Sequence, residues 1–168
     1  DYGLMFGKRM KAKALKPDAK TPSGAIVISL VEDKELGEEG YSIEIADRIL
    51  LKAQTATGAY WGTRTLLQIM EQHEGTALPR GTIRDWPDFP YRGFYHDVTR
   101  GKVPTLESLK ALVDRMAAYK LNSLQLYVEH TFEFRQFREL NKLTGYLTAD
   151  EIRELDRYCR ENFIDFIP

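Results

Sequence analysis

Apolar positions along this chain recur first with a period of two and then at helical spacing, and the alternation outlines its elements. Ala25 to Val31 (AIVISLV) is a short run rich in β-branched residues and predicts a buried strand. Tyr41 to Ala46 (YSIEIA) sets Tyr41, Ile43 and Ile45 against Ser42, Glu44 and Ala46, the pattern of a half-buried strand. Asp47-Arg48 makes a tight turn, and Ile49 to Ala53 predicts the returning strand of a hairpin. From about Gly58 to Gln72 the period lengthens, and Trp61, Thr65, Leu66, Ile69 and Met70 fall on one helical face. Gly58 and Gly62 each weaken that helix by roughly 1 kcal/mol relative to alanine. Their spacing therefore predicts close packing of the helix on a sheet or another backbone.

Beyond residue 90 the two periods alternate regularly. Tyr91 to Val98 predicts a strand. Thr105 caps a helix that runs to about Lys120 and buries Leu106, Leu109, Leu112, Val113, Met116 and Ala117. Leu121 to Glu129 alternates Leu124, Leu126 and Val128 and predicts a second strand. Thr148-Ala149-Asp150-Glu151 matches a capping box, and the helix behind it is expected to bury Ile152, Leu155, Tyr158 and Cys159. Phe163 to Ile167 predicts a third strand. A βαβαβ order implies parallel strands with right-handed crossovers. It suits half of a doubly wound sheet or the opening of a (β/α)8 barrel. A dinucleotide fold wants a glycine-rich turn after its first strand, and Arg100-Gly101-Lys102 is not one. The first part of the chain thus reads as a small α+β domain, residues 1–82, a sheet with a packed helix. The second, residues 83–168, reads as a linker and an incomplete (β/α)8 barrel segment.

Composition changes this picture little. With 24 basic and 25 acidic residues in 168, the formal net charge of −1 gives no global reason to expect nucleic acid or an acidic membrane surface as a partner. The basic segment from Lys8 to Lys20 lacks interleaved aromatics, so it reads as a solvated loop or a short element followed by one. No apolar run approaches the roughly 20 residues of a membrane helix, so no membrane partner is expected. Cys159 is the only cysteine, which excludes an internal disulfide and a cysteine-based zinc site. The chain opens at Asp1 without a signal-peptide pattern, and a piece of a longer protein is expected.

Candidate chemistry concentrates between Ile83 and Gly101 (IRDWPDFPYRGFYHDVTRG) and at the next strand end. Parallel α/β folds place their chemistry at the carboxyl ends of strands. The first strand ends in His96-Asp97-Val98-Thr99-Arg100 and the second in Tyr127-Val128-Glu129-His130. Imidazole and carboxylate suit a metal ion, but neighbouring strand residues point to opposite faces, so His96, Asp97, Glu129 and His130 are poorly placed to share one. No metal and no cofactor are expected. Polar recognition of a sugar, with an aromatic ring stacked on it, needs no metal and tolerates these mixed residue types. The plainer alternative is that Asp97 and Arg100 only hold the top of the sheet together by ion pairing.

At these residues the chain resembles glycoside hydrolase family 20, the β-N-acetylhexosaminidases. Gly40-Tyr41-Ser42-Ile43 followed by ILLKA is similar to the family's hairpin, and Gly58-Ala59-Tyr60-Trp61-Gly62 through Thr65-Leu66-Leu67-Gln68 is similar to its helix. Ile83-Arg84-Asp85-Trp86-Pro87 with Phe89 and Tyr91-Arg92-Gly93 resembles its linker. Asp97-Val98-Thr99-Arg100 and Tyr119-Lys120-Leu121-Asn122 resemble its D-V-S-R and Y-K-L-N motifs. Order and spacing hold over roughly residues 38 to 130, which makes chance agreement improbable although each piece is weak alone.

The resemblance implies an α+β domain beside a (β/α)8 glycosidase barrel, acting on a terminal N-acetylhexosamine. It implies retaining hydrolysis in which the substrate's own acetamido oxygen is the nucleophile. Arg92 is implied as a ligand of sugar hydroxyls, and Asp97 as a residue of the same pocket. Glu129 and His130 are carried as sugar-binding candidates. The catalytic Asp-Glu pair belongs to a fourth strand end, so no catalytic residue is expected in this chain, which is expected to be inactive alone. A complete barrel takes about 250 residues and only about eighty follow Pro87. Open strand edges make self-association of such a segment an expectation. A secreted or periplasmic location fits the family without being decided by it. Two departures stand out: Gly101 replaces the family's usual histidine, and Tyr127 to Phe134 replaces its histidine and aspartate-rich turn. The alternatives are an α-glucuronidase-like hydrolase and a non-catalytic carbohydrate-binding or interaction module on the same scaffold.

Overall fold

The computed structural model describes residues 11–16, 19–74, 77–134, 136–137, 139 and 145–168. Backbone packing divides the chain into two compact units, Asp1–Asp88 and Phe89–Pro168. Of the basic segment from Lys8 to Lys20, residues 8–10, 17 and 18 lie outside the described residues. The rest of it is exposed and without regular structure.

In the first unit β1 (Ile26–Leu30), β2 (Tyr41–Ile45), β3 (Ile49–Ala53) and β4 (Gly81–Asp85) form one sheet in the order β1-β3-β2-β4. The hairpin read from the sequence is β2–β3, with Ile43 opposite Leu51. β1 pairs with β3 in parallel, and β4 pairs with β2 antiparallel. α1 (Ala56–Gln72) lies on the face that carries Leu51, as the tight contact of Gly62 with the Leu51 side chain shows. Two expectations are corrected here. β1 is not a buried strand: among the described residues it is at the sheet edge, and Ile28 and Leu30 are 52% and 60% exposed. Ile83 to Asp85 is not linker but part of β4, so a division after residue 82 would cut a strand. Tyr41, fully buried, hydrogen-bonds Asp85 Oδ2 at 2.5 Å and Thr65 Oγ1 at 2.6 Å, tying β2 to both β4 and α1.

The glycine pair of α1 has the role its spacing suggested. A Cβ on Gly58 would stand 2.4 Å from the carbonyl oxygen of Gly40. The loop around that carbonyl is bound to the helix at two more points: Thr55 Oγ1 donates to the Glu38 carbonyl, and Trp61 Nε1 donates to Glu39 Oε2 at 2.8 Å.

In the second unit β5 (Gly93–Asp97), β6 (Ser123–Tyr127) and β7 (Asp165–Ile167) form a parallel sheet in that order. α2 (Leu106–Ala118) and α3 (Ala149–Glu161) supply the crossovers. Leu124 and Leu126 of β6, Leu109, Val113 and Met116 of α2, and Leu155 and Cys159 of α3 form the core, each below 5% exposure. The register sets Gly93, Tyr95 and Asp97 beside Ser123, Gln125 and Tyr127, on the sheet face that no helix covers among the described residues of this unit. Thr105 and Thr148 cap the helices, the latter in the full capping box. Tyr158 is half-buried rather than core, because its hydroxyl reaches across to Asp114 Oδ1 at 2.7 Å, beside the Lys110–Glu154 ion pair. Both helices end alike. Lys120 and Phe163 take the left-handed conformation (φ 57° and 55°), and the next residues, Leu121 and Ile164, return hydrogen bonds to Met116 and Cys159.

Candidate functional site

At the carboxyl end of β5 the chain turns sharply around Asp97. Its Oδ1 accepts from the backbone N–H groups of Thr99 (2.9 Å) and Arg100 (3.1 Å), and its Oδ2 accepts from Arg100 Nε at 2.5 Å. Those two backbone donors, helped by the guanidinium, hold the Asp97 carboxyl below its ordinary range. Thr99 then joins this turn to the end of β6. Its hydroxyl contacts the Tyr127 carbonyl (3.3 Å) and the hydroxyl of Thr131 (3.2 Å), and accepts from the Glu129 N–H (3.1 Å). Thr131 is fully buried, so this connection sits beneath the surface of the site.

Above it lies a mixed cluster. The Arg100 guanidinium is 4.9 Å from the centre of the Tyr127 ring, and the rings of Tyr95 and Tyr127 meet edge to face at 6.1 Å. The Tyr127 hydroxyl donates to Glu129 Oε1, and the nearby carboxylate raises the phenol above its ordinary range. His130 Nδ1 lies 4.0 Å from Glu129 Oε2. Asp97, Glu129 and His130 are thus brought to one end of the sheet, with Arg100 and Tyr127 between the acids. Asp97 and Arg100 do form the ion pair that the plainer reading foresaw. Yet the pairing uses Nε, and the Arg100 side chain remains 72% exposed. An arginine oriented by a carboxylate through one nitrogen can present the others to hydroxyl groups.

Arg92 lies elsewhere. It precedes β5, and Asp97 closes it, about 17 Å further along at the usual strand rise. Its guanidinium donates to the carbonyls of Phe89 and Lys120, each at 2.8 Å, while its own N–H is bound by the Asn122 side chain. The geometry makes Arg92 a clasp at the amino end of the sheet and does not bring it to Asp97. His96 faces away from Asp97 and stacks on Phe94 at 5.7 Å. Among the described residues no group of three or more potential ligands could hold a metal ion. What the residue-by-residue reading missed was Arg100 as a facing group and the two tyrosines. The signal was present: Tyr95 stands two residues before Asp97 on the same face of β5, and Tyr127, the last residue of β6, stands two before Glu129.

The turn at Asp97 and the lock between Gly40 and Gly58 are the structural counterparts of the motifs noted above, and comparison with known proteins agrees. The model of glycosyl hydrolase family 20, domain 2, matches residues 5–86, and that of the family's catalytic domain matches residues 89–168. The chain belongs to glycoside hydrolase family 20. It is 30% identical to a beta-hexosaminidase of Porphyromonas gingivalis over 88% of this chain and 22% of that protein. It is 29% identical to one of Akkermansia muciniphila over 86% of this chain and 34% of that protein. The chain therefore spans between 22% and 34% of the length of these relatives. A crystal structure of a beta-N-acetylhexosaminidase, 26% identical, superposes with a TM-score of 0.74 over 89% of this chain and 36% of that one. A Streptomyces plicatus beta-hexosaminidase variant in complex with the product GlcNAc superposes at 0.82 over 99% and 37%. At 23% identity that likeness establishes the fold alone. Within the family-20 chain, then, the sheet of β5, β6 and β7 belongs to the catalytic domain, and the sheet of β1 to β4 to the domain before it.

Proposed function

We propose that this chain supplies the preceding domain and the opening strands of a (β/α)8 barrel in a β-N-acetylhexosaminidase that removes terminal N-acetylhexosamine. The observation that carries the reading is the cluster at the carboxyl ends of β5 and β6, where a carboxylate-oriented arginine, a second carboxylate and a tyrosine face the uncovered side of a parallel sheet. That is the wall of a barrel pocket, and its donors and acceptors suit sugar hydroxyls. Asp97 orients Arg100, Arg100 donates to the sugar, and Glu129, set by Tyr127, accepts from it. His130 borders the same group. Arg92 serves the strand's amino end instead. The acid and the carboxylate that orients the acetamido group belong to a later strand of the barrel, so hydrolysis is a property of the parent polypeptide and not of these residues alone.

The test is turnover of an aryl N-acetyl-β-glucosaminide. This chain by itself should show none, while the parent polypeptide hydrolyses it. Arg100→Ala in the parent should lower kcat/KM by about 10- to 100-fold, the range for a hydrogen bond from a charged donor. Turnover by this chain above an Arg100→Ala control would overturn the division of labour. An inactive parent would overturn the reading itself.

A further inference from the structure

One hydroxyl at the carboxyl end of the sheet is used in full. The Thr99 oxygen accepts from the Glu129 N–H at 3.1 Å and contacts the Tyr127 carbonyl at 3.3 Å and the Thr131 hydroxyl at 3.2 Å. A hydroxyl has one proton to give and two lone pairs. Donation to Tyr127, with acceptance from Glu129 and Thr131, fills all three places. One atom thus gathers every second residue of the segment that leaves β6. The bond from the Glu129 N–H lies within the ordinary range, whereas the two oxygen contacts are long. The hold on Glu129 is therefore the strongest of the three.

Both ends of that segment are fixed independently. Tyr127 closes β6, and its carbonyl also accepts from the Val98 N–H at 3.2 Å. The Thr131 carbonyl accepts from the Leu147 N–H at 2.8 Å, one residue before the Thr148 cap of α3. Thr99 is anchored too, because Asp97 Oδ1 holds its N–H at 2.9 Å. Between the fixed ends the backbone bends at Glu129, and the Thr99 oxygen holds that bend. The Glu129 carboxylate in turn accepts from the hydroxyl of Tyr127, over whose ring the Arg100 guanidinium lies. We propose that Thr99 is a positioning residue for sugar binding: its hydroxyl acts through Glu129, setting where that carboxylate stands relative to Arg100. The sugar part of the statement rests on the function proposed above, whereas the hold on the Glu129 backbone rests on the hydrogen bonds.

The experiment sets Thr99→Val, which keeps the shape and removes the oxygen, against Thr99→Ser, which keeps the oxygen, both in the parent polypeptide. It reads hydrogen exchange at the Glu129 amide and turnover of an aryl N-acetyl-β-glucosaminide. Thr99→Val should speed the exchange and raise KM about three- to tenfold, the range for one hydrogen bond. Its kcat should change little, since Glu129 binds the sugar alike in ground and transition states. Thr99→Ser should restore both readings. In a Glu129→Ala background Thr99→Val should add less than about twofold to KM. Val113→Ala opens a cavity in the fully buried core, so it should lower the melting temperature and leave KM as it is. Should Thr99→Val fail to fold, Thr99→Cys against Thr99→Ser makes the same comparison with one atom exchanged. Unchanged exchange at Glu129 without the oxygen would overturn the proposal. So would an equal rise in KM with and without the Glu129 side chain, or Val113→Ala raising KM as much as Thr99→Val. A parent that hydrolyses nothing would overturn the hexosaminidase reading instead, and exchange at Glu129 would still decide whether Thr99 holds that backbone.

Discussion

Replacing Gly58 by alanine tests the lock between α1 and the loop before β2. In an isolated helix the change would gain about 1 kcal/mol. Here the new methyl would stand 2.4 Å from the Gly40 carbonyl oxygen and 3.3 Å from both the Ala53 Cβ and the Glu39 carbonyl carbon. Helix and loop would have to part by about 1 Å to restore ordinary contact. The opposing atom is backbone, and its neighbours are bound to the helix through Thr55–Glu38 and Trp61–Glu39. Overpacking costs about 1–3 kcal/mol, and weakening one of those bonds adds about 1 kcal/mol. Against the helical gain, a net loss of about 1–3 kcal/mol follows. Gly62→Ala is the internal control. Its methyl meets the Leu51 side chain at 2.9 Å, which can turn aside, so the two effects should cancel to within about 1 kcal/mol. Urea denaturation followed by the fluorescence of Trp61, 1% exposed, reads the first unit. The comparison is of midpoints at unchanged slope. A Gly58→Ala midpoint equal to or above the natural one, or Gly62→Ala the worse of the two, would refute the argument.

Three further outcomes follow from the second unit. Asp97 is ionised in both folded and unfolded states above about pH 4. Because folding lowers its pKa, its contribution is present above the unfolded value and is lost as pH falls through the lowered folded one. Thermal melts by circular dichroism should therefore show Asp97→Asn less stable at neutral pH, with the gap closing in acid; a gap that widens in acid contradicts this. Burial, then the charge of Asp156, pushes the Cys159 thiol up to about 12, so a thiol reagent at pH 8 should leave it unmodified until denaturant is added. Rapid reaction in the native state would show that the core around α3 opens. Finally, β5 and β7 each pair on one side among the described residues, and Phe94 and Tyr95 are 40% and 58% exposed. Sedimentation velocity should show association rising with concentration, and a strictly monomeric chain at high concentration would refute it.

Local pattern determined much of this protein. The β2–β3 hairpin, the three helices, the threonine caps of α2 and α3 and the parallel βαβαβ order were legible because caps, turns and periodicity act over a few neighbouring residues. So was the meaning of Gly58 and Gly62, since a costly glycine pair inside a helix implies a close neighbour. What tertiary structure decided was which faces and edges are covered. The run Ala25 to Val31 looks buried by composition, but burial depends on what packs over β1, and among the described residues Ile28 and Leu30 remain exposed. β4 escaped notice because Gly81 to Asp85 has little apolar alternation and becomes a strand by pairing with β2. The same reason governs the site. Sequence distance puts Arg92 and Asp97 five residues apart, but an extended strand sends them to opposite ends of a sheet. The turn at Asp97 and the register of β5 with β6 choose Arg100, Tyr127 and Glu129 as its neighbours instead.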